Sequence, residues 1–337
     1  MNEKRMTVRF GLLGAGRIGK VHAKTISDNP GGTLVAVTDA VPAAAVSIHE
    51  QYRCQVRSIE AIESATDIDA VIICTPTDTH ADLIERFSRA GKAVFCEKPI
   101  DLNIARVKAC LKVVEETRAK LMVGFNRRFD PHFMAVRKAI DDGQVGDVEM
   151  VTITSRDPGL PPIEYIKRSG GIFRDMTIHD FDMARFLLRE EPISVSATAA
   201  VLVDKSVGDV GDYDSVSVLL QTKSGRQAMI SNSRRAVYGY DQRIEVHGSK
   251  GMVSAENLRP VSIELANTLG YTRPPIHNFF MTRYAQAYAN ELASFVVAIE
   301  EGSAISPSGA DGLAALALAD AAFKSVEEKR QIALTSS

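Results

Sequence analysis

The stretch VRFGLLGAGRIG, residues 8–19, decides the fold of the first half of the chain. Its apolar part, VRFGLL, has the composition of a buried β-strand. It runs directly into GAGRIG, residues 14–19, which matches the pattern G-x-G-x-x-G. In that pattern Gly14 permits a tight turn, Gly16 lets the backbone approach a pyrophosphate, and Gly19 lets the next helix pack against the strand. The stretch therefore predicts a strand, a phosphate-binding turn and a helix whose N-terminus faces the anion.

The residues around this turn favour NAD as the cofactor. A second strand-like run, Leu34 to Thr38, ends at Asp39, 20 residues after Gly19. A carboxylate in that position accepts hydrogen bonds from the adenosine ribose hydroxyls and repels a 2′-phosphate, so NAD is preferred over NADP. Arg17 and Ile18, inside the turn, complete the predicted cofactor-binding segment. The alternative is a glycine-rich turn with an ordinary carboxylate at a strand end.

The first 125 residues alternate short apolar runs with longer amphipathic stretches. The apolar runs are Val8 to Gly14, Leu34 to Thr38, Ala70 to Cys74, Ala93 to Cys96 and Leu121 to Phe125. The amphipathic stretches are Arg17 to Ser27, Ala43 to Tyr52, His80 to Ala90 and Asn103 to Ala119. Such alternation is typical of βαβ units, so the class is α/β and residues 1–125 are predicted to form an NAD-binding Rossmann domain with a doubly wound parallel sheet.

After residue 125 the periodicity changes. Several segments alternate apolar and polar residues, which is typical of strands with one covered face. These segments are Val148 to Ser155, Ser194 to Val201, Ser215 to Gln221, Gln227 to Ser231 and Arg243 to His247. Helical patterns occur at Pro131 to Asp142, Asp175 to Leu188, Tyr284 to Glu300 and Asp311 to Lys329. Residues 126–337 are therefore predicted to be a C-terminal α+β domain for substrate binding and oligomerisation, with a large, mostly antiparallel open sheet.

Composition excludes several classes of partner and location. The 337 residues contain 40 Lys and Arg against 42 Asp and Glu, so the net charge is −2 and neither nucleic acid nor an anionic membrane is expected. No window approaches the roughly 18 apolar residues of a membrane span, and residues 1–10 have no signal-peptide core. The four cysteines include no C-x-x-C pair, which is typical of reduced thiols in a cytoplasmic protein.

Three further segments carry candidate chemistry. Thr75-Pro76, with His80 close behind, follows the third apolar run, and Glu97-Lys98-Pro99 follows the fourth, at the sheet edge where α/β proteins bind ligands. In the second half, Asp175 and His179 are four residues apart in a helical pattern, which places a carboxylate and an imidazole on one helix face.

Two simpler interpretations of these residues stay open. His179 could be a core histidine satisfied by Asp175, and Asp182 could join both in a metal site, although no cysteine or second histidine lies near in sequence. No metal is expected at this position. His22, in the helix after the glycine turn, is expected on a solvated face.

At these residues the chain resembles the glucose–fructose oxidoreductase-like dehydrogenases, and within that family most closely the inositol dehydrogenase branch. The resemblance covers essentially the whole chain. It is carried by the glycine turn, Thr75-Pro76 with His80, Glu97-Lys98-Pro99, the run GFNRRFD at residues 124–130, the segment from Gly170 to Asp182, and Tyr238-Gly239-Tyr240-Asp241. Glu-Lys-Pro after a Rossmann turn is specific to the superfamily, whereas the other segments resemble the inositol branch more narrowly.

The resemblance implies a function and a set of roles. The expected reaction is NAD-dependent oxidation of the axial hydroxyl of myo-inositol to 2-keto-myo-inositol, in inositol catabolism, by a protein that is typically a homotetramer associating through its open sheet. The implied catalytic residues are Lys98, Asp175 and His179, the implied substrate contacts are Asn126, Arg127, Asp157 and Tyr238, and Thr75, Pro76, His80, Glu97 and Lys98 join the glycine turn and Asp39 in cofactor binding.

The chemistry of such an oxidation can be reasoned from the residues alone. Hydride leaves carbon only if the hydroxyl proton is removed, and a histidine is the usual base near neutral pH. His179 would accept the proton, Asp175 would orient the ring, and Lys98 would stabilise the developing alkoxide. The alternatives are another sugar as substrate, or a non-catalytic NAD-binding sensor, which would not need these three residues together.

Overall fold

The computed structural model describes residues 7–334, and its contacts divide the chain into two compact units. The first unit contains residues 7–126 together with residues 287–316, and the second contains residues 127–286 and 317–334. Residues 1–6, where the sequence shows no signal-peptide core, lie outside the described residues.

The first unit is built on a parallel sheet of six strands. The strands are β1 (Val8–Leu13), β2 (Gly32–Thr38), β3 (Gln55–Val56), β4 (Ala70–Ile73), β5 (Ala93–Cys96) and β6 (Leu121–Val123). The helices between them are α1 (Arg17–Asp28), α2 (Pro42–Tyr52), α3 (Ile59–Glu63), α4 (His80–Arg89) and α5 (Ile104–Thr117). The strand order is β3-β2-β1-β4-β5-β6, with every pairing parallel, so the predicted Rossmann fold is confirmed.

The strands of this sheet are apolar because helices cover both of its faces. Phe10, Leu12, Ile72 and Phe95 have no exposed surface. The edge strand β3 has no such signal, since it has only two residues and both are exposed, and it is missing from the five predicted strands for that reason.

The second unit is built on a mixed sheet of seven strands. The remaining elements of the chain, in order, are α6 (Pro131–Asp141), β7 (Val148–Arg156), α7 (Ile163–Ser169), α8 (Ile178–Leu188), β8 (Pro192–Ala200), α9 (Lys205–Asp209), β9 (Ser215–Thr222), β10 (Gln227–Ser233), β11 (Asp241–Gly248), β12 (Gly251–Ala255), β13 (Leu265–Asn267), β14 (Gly270–Thr272), α10 (Phe280–Arg283), α11 (Ala285–Glu301), α12 (Gly309–Glu328) and β15 (Ile332–Ala333). The sheet order is β12-β11-β7-β10-β9-β8-β15, and only the β7–β10 pairing is parallel, which confirms the predicted, mostly antiparallel sheet.

One face of this sheet is covered and the other is open. Val216, Val218 and Leu220 of β9 are buried, and α8 packs against β7 and β10. The alternate residues of the same strands point the other way, and three of them are large and apolar: Met150, Leu219 and Met229 are each 40–44% exposed. We call the surface that these three side chains share the open face. Leu219 and Met229 are paired across β9 and β10.

The domain boundaries differ from the predicted 1–125 and 126–337. The first boundary lies one residue further, at Asn126, but residues 287–316 belong to the first unit rather than the second. The reason is aromatic packing, since the ring of Phe295 in α11 lies 6.3 Å from that of Phe10 and 5.8 Å from that of Phe95. A change of periodicity along the chain does not reveal a helix that returns to an earlier core.

Among residues 7–334, no helix combines the length and the apolar composition that crossing a membrane requires.

Candidate active site

The predicted cofactor residues meet at the carboxyl edge of the parallel sheet. Residues 14–19 follow β1, Asp39 follows β2, Thr75 and Pro76 follow β4, Glu97 and Lys98 follow β5, and Asn126 follows β6. The strand order reverses between β1 and β4, and such a reversal opens a crevice at the carboxyl edge where α/β proteins bind dinucleotides.

Two glycines of the turn are required by the protein itself. Gly14 has φ +96°, and a Cβ there would lie 2.6 Å from the carbonyl carbon and oxygen of Cys74. A Cβ on Gly19 would lie 2.0 Å from the Gly14 carbonyl oxygen, so only glycine lets α1 start this close to the strand.

Gly16 is different, because nothing in the described chain demands a glycine there. Its φ of −69° suits any residue, and a Cβ on it would have no neighbour within 4 Å. Gly16 is also the N-cap of α1, where no side chain caps the first turn. The space beside it and the amide groups of the turn, with Arg17 and Ile18 next in the chain, therefore fit a pyrophosphate from outside the chain.

The Asp39 carboxylate is held by two main-chain amides. Its Oδ2 accepts a hydrogen bond of 2.6 Å from the Ala15 amide, and its Oδ1 accepts one of 2.7 Å from the Val41 amide. Each carboxylate oxygen has a second lone pair, so the side chain can still accept from two ribose hydroxyls.

His80 joins two loops of this edge. It is 2% exposed, its Nδ1 lies 2.7 Å from the Pro99 carbonyl oxygen, and its Nε2 lies 2.8 Å from the Thr75 carbonyl oxygen. Both ring nitrogens therefore contact main-chain carbonyls of the loops that carry Thr75 and Lys98. This geometry fits a role in positioning these loops, and contact of His80 with the cofactor stays a prediction.

His22 corrects the expectation of a solvated position. It is 1% exposed, its Nε2 lies 2.7 Å from Oε1 of Glu97, and its ring packs edge-on against Phe95 at 5.0 Å. The spacing of residues along α1 indicates that His22 is buried, because it lies on the same helix face as the buried Gly19 and Ile26. Glu97, predicted to bind the cofactor, is thus held by a histidine of α1.

In the second unit, Asp175 lies within a helical irregularity, and His179 lies just after it in α8. Residues Phe173–Thr177 form a π-helical turn, and α8 begins at Ile178, so the segment predicted to be helical from Asp175 to Leu188 is helical but starts as a π-helix. The Thr177 hydroxyl lies 3.3 Å from the Ile172 carbonyl oxygen, five residues back. A π-turn changes the stacking expected of residues four apart, and such turns are frequent at functional sites.

The Asp175 carboxylate is held from two sides. The Tyr165 hydroxyl donates to its Oδ1 at 2.7 Å, and both terminal nitrogens of Arg234 lie 3.3 Å from its Oδ2. Asp157 lies in the same electrostatic environment. Burial raises the pKa of Asp157 to about 6, with the Arg234 charge opposing the rise and the Asp175 charge adding to it. His179, four residues after Asp175, is half-buried.

The other predicted substrate contacts have structural partners. Arg127 is 5% exposed and donates to Asp180 and to the Ser155 hydroxyl. The Tyr238 hydroxyl donates to Asp241 at 2.6 Å, and half of its side chain is exposed. Asn126 is buried at the end of the first unit. Contact of these residues with substrate stays a prediction.

Asp182 does not extend the Asp175 and His179 pair into a metal site. It is 1% exposed and accepts two hydrogen bonds from Arg128, of 2.8 and 2.6 Å. Within residues 7–334 no three His, Cys, Asp or Glu side chains are grouped so that they could hold a metal ion.

Two models of known protein families match this chain, one in each half of the sequence. Residues 8–125 match the oxidoreductase family with an NAD-binding Rossmann fold, and residues 133–254 match the GFO/IDH/MocA C-terminal domain. The inositol 2-dehydrogenase of Rhizobium meliloti (strain 1021) is 78% identical over 98% of this chain and 100% of its own.

Solved structures agree with these matches. A myo-inositol dehydrogenase from Corynebacterium glutamicum superposes with a TM-score of 0.95 at 43% identity, over 98% of this chain and 100% of that chain. A scyllo-inositol dehydrogenase from Lactobacillus casei, with bound NAD(H) and scyllo-inositol, superposes with a TM-score of 0.91 at 30% identity, over 98% of this chain and 100% of that chain. The glycine turn, Asp39 and these matches together place the chain in the GFO/IDH/MocA family, as an NAD-dependent oxidoreductase.

Proposed function

We propose that this protein is an inositol 2-dehydrogenase, which oxidises the axial hydroxyl of myo-inositol to the ketone of 2-keto-myo-inositol. The observation that carries the proposal is that the carboxylate of Asp175, four residues before the half-buried His179, is held by Tyr165 and Arg234. The identity of 78% to an inositol 2-dehydrogenase supports the same substrate class.

His179 is the general base of the proposed reaction. The hydroxyl proton passes to its imidazole as the C–H bond gives up its electron pair, and NAD supplies the hydride acceptor when bound at the carboxyl edge of the Rossmann sheet. Only a neutral imidazole can accept the proton, so turnover rises with pH as His179 is deprotonated.

Asp175 and Lys98 stabilise the charges that develop. The ionised Asp175 orients the imidazole and favours the imidazolium that forms in the transition state. The Lys98 ammonium donates a hydrogen bond to the substrate oxygen and offsets the alkoxide charge. Tyr165 and Arg234 keep Asp175 in one orientation, so that little reorganisation is needed during the reaction.

Recognition of a neutral polyol requires hydrogen-bonding groups rather than net charge. We include Asp157 among the substrate contacts, and it shares the Arg234 environment with Asp175. A carboxylate accepts from two hydroxyls, as vicinal diols require. We include Asn126, Arg127 and Tyr238 as further contacts, with Arg127 and Tyr238 acting alongside their structural partners.

A substrate panel tests the proposal. The protein is assayed with NAD and a set of inositols and aldoses, and myo-inositol is expected to be among the best substrates. The variant His179→Ala is expected to lose turnover by roughly 10²–10⁴-fold, because a positioned base contributes about that much. Its NAD affinity, measured by calorimetry, should change little. His132→Ala, at an exposed histidine in α6, is the matched control.

Each other outcome has a clear meaning. Activity on aldoses with none on inositols would assign a different sugar to the same site. Tight NAD binding with no turnover on any polyol would favour a non-catalytic sensor, and unchanged turnover in His179→Ala would remove this residue from the mechanism.

Assembly and location are part of the same proposal. We propose a homotetramer that associates through the open face, whose exposed Met150, Leu219 and Met229 would be covered by another subunit. We place the protein in the cytoplasm, where inositol catabolism would use it, since all four cysteines are free and buried as in a reducing compartment.

A further inference from the structure

We propose that Arg234 is a positioning residue of the reaction centre, which keeps Asp175 ionised and correctly oriented and is itself anchored by Asp212. This inference rests on the proposed function, because it concerns the carboxylate that assists His179. Neither Arg234 nor Asp212 is part of the pattern by which the sequence resembles its family.

Arg234 is a guanidinium enclosed by the protein. It is 1% exposed, and its two terminal nitrogens lie 3.3 Å from the same oxygen of Asp175. Its Nε is buried and has no hydrogen-bond partner within the described residues. Burying a charge with an unsatisfied donor is costly, so the charge of Arg234 is not explained by stability alone.

Sheet register brings the charged groups to one end of three strands. Asp157 directly follows β7, Arg234 directly follows β10, and Asp212 lies just before β9. The last residues of β7 and β10 are paired, and the first residue of β9 is paired with the last of β10. The Asp157 amide also donates to the Ser233 carbonyl, so the three chain segments are held in register up to the cluster.

Asp212 connects Arg234 to the chain leading to Asp175. Its Oδ2 lies 3.7 Å from a terminal nitrogen of Arg234, and its Oδ1 accepts a hydrogen bond of 2.9 Å from the Ile172 amide. Gly171 allows this approach, because it has φ +83° and a Cβ there would lie 2.8 Å from Oδ1. The carboxylate therefore fixes both the guanidinium and the start of the π-helical turn that carries Asp175.

The charge balance around Arg234 explains why a cation is needed. Three carboxylates, Asp157, Asp175 and Asp212, share its environment. Burial raises the pKa of Asp212 as well as that of Asp157. Without Arg234 the mutual repulsion of these groups would favour their protonated forms, and a protonated Asp175 could not stabilise an imidazolium.

The remaining groups that face the cluster do not replace Arg234. The Tyr165 hydroxyl donates to Asp175 but carries no charge. Arg127 acts on Asp157 but is paired with the buried Asp180. Removing the Arg234 charge should therefore move the ionisation of the whole cluster, including the Asp175 and His179 pair.

The test compares pH profiles of kcat/KM for inositol oxidation. In Arg234→Met the rising limb is expected to move to higher pH by about one unit, since an opposite charge this close shifts a carboxylate by about one to three units. Two effects act in this direction: the carboxylates retain protons longer, and the uncompensated negative charge favours imidazolium at His179. Arg234→Lys keeps the charge and should keep the wild-type limb while lowering kcat, because a lysine has one nitrogen in place of the two that approach Asp175.

Asp212→Asn is expected to shift the pH profile in the opposite direction. This variant keeps an oxygen for the Ile172 amide but removes a negative charge beside Arg234, so the rising limb is expected to move to lower pH. A general disturbance of the fold would not account for opposite shifts in the two variants. Arg235→Met, at the exposed neighbouring arginine, is the matched control and should keep the wild-type profile.

A second readout separates this inference from the proposed function. The imidazole signal of His179 is followed by NMR titration, assigned by its loss in His179→Ala, and its midpoint is expected to rise in Arg234→Met even if no polyol is oxidised. Absence of polyol oxidation in the wild-type protein would defeat the proposed function. An unchanged midpoint and an unchanged rising limb in Arg234→Met would overturn the role of Arg234.

Discussion

At the scale of single residues, we expect Asp39 to determine which dinucleotide the turn accepts. The double variant Asp39→Ala with Ala40→Arg removes a carboxylate that would repel a 2′-phosphate and adds a cation that can bind it. Each change is worth about 1.5 kcal/mol or more, so the ratio of kcat/KM for NAD to that for NADP should fall by roughly 100-fold. Steady-state kinetics with both cofactors measures it. NAD affinity should also fall, because Asp39 holds the Ala15 amide of the turn.

The matched control for this change is Asp28→Ala at the end of α1, where the carboxylate pairs with Lys24. It removes the same charge near the same helix and should leave the cofactor ratio as it is. An unaltered ratio in the Asp39 double variant would mean that this residue does not determine cofactor choice.

Residues of the site differ in how far they are predictable. Gly14, Gly19 and Asp39 follow from local spacing, because a turn and the two strands around it determine their roles. Arg234 could not be found this way, since it lies 59 residues from Asp175 and meets it only in the folded chain. Sequence periodicity carries no information on which charged residues of distant strands become neighbours.

At the scale of elements, α11 is a helix whose assignment to a domain differs from the prediction. Its helical pattern is clear in the sequence, but its core is that of the first unit. Phe295→Ala would remove a ring with no exposed surface that packs on Phe10 and Phe95. We expect a loss of about 3–5 kcal/mol in the free energy of unfolding of the first unit, measured by denaturant titration.

The control for this prediction is Tyr271→Ala in β14, where 79% of the side chain is exposed, and its effect should stay within about 0.5 kcal/mol. NAD should protect the Phe295 variant against denaturation, because its binding turn belongs to the same unit. A loss no greater than that of the control would show that α11 does not support the first core.

Elements with strong periodicity were predictable, and those without it were not. The apolar runs of β1, β4 and β5 indicate a parallel sheet because helices cover both faces. The short strands β13 and β14 consist of exposed residues, so no buried face marks them in the sequence. The π-helical turn at Phe173–Thr177 likewise leaves no mark in the hydrophobic pattern, since it alters the helix by a single hydrogen-bond register.

At the scale of the whole molecule, the proposed tetramer depends on the open face. Its residues Leu219 and Met229 lie side by side on neighbouring strands and are 41% and 44% exposed, so a lysine at each would place two like charges on the proposed contact. Burying an unpaired ammonium costs several kcal/mol, and the double variant should therefore dissociate to smaller species in sedimentation velocity, with its circular dichroism unchanged. Val46→Lys, on the exposed side of α2, should sediment like the wild type. A wild-type protein that sediments as a monomer, or a double variant that stays tetrameric, would exclude this face as the subunit contact.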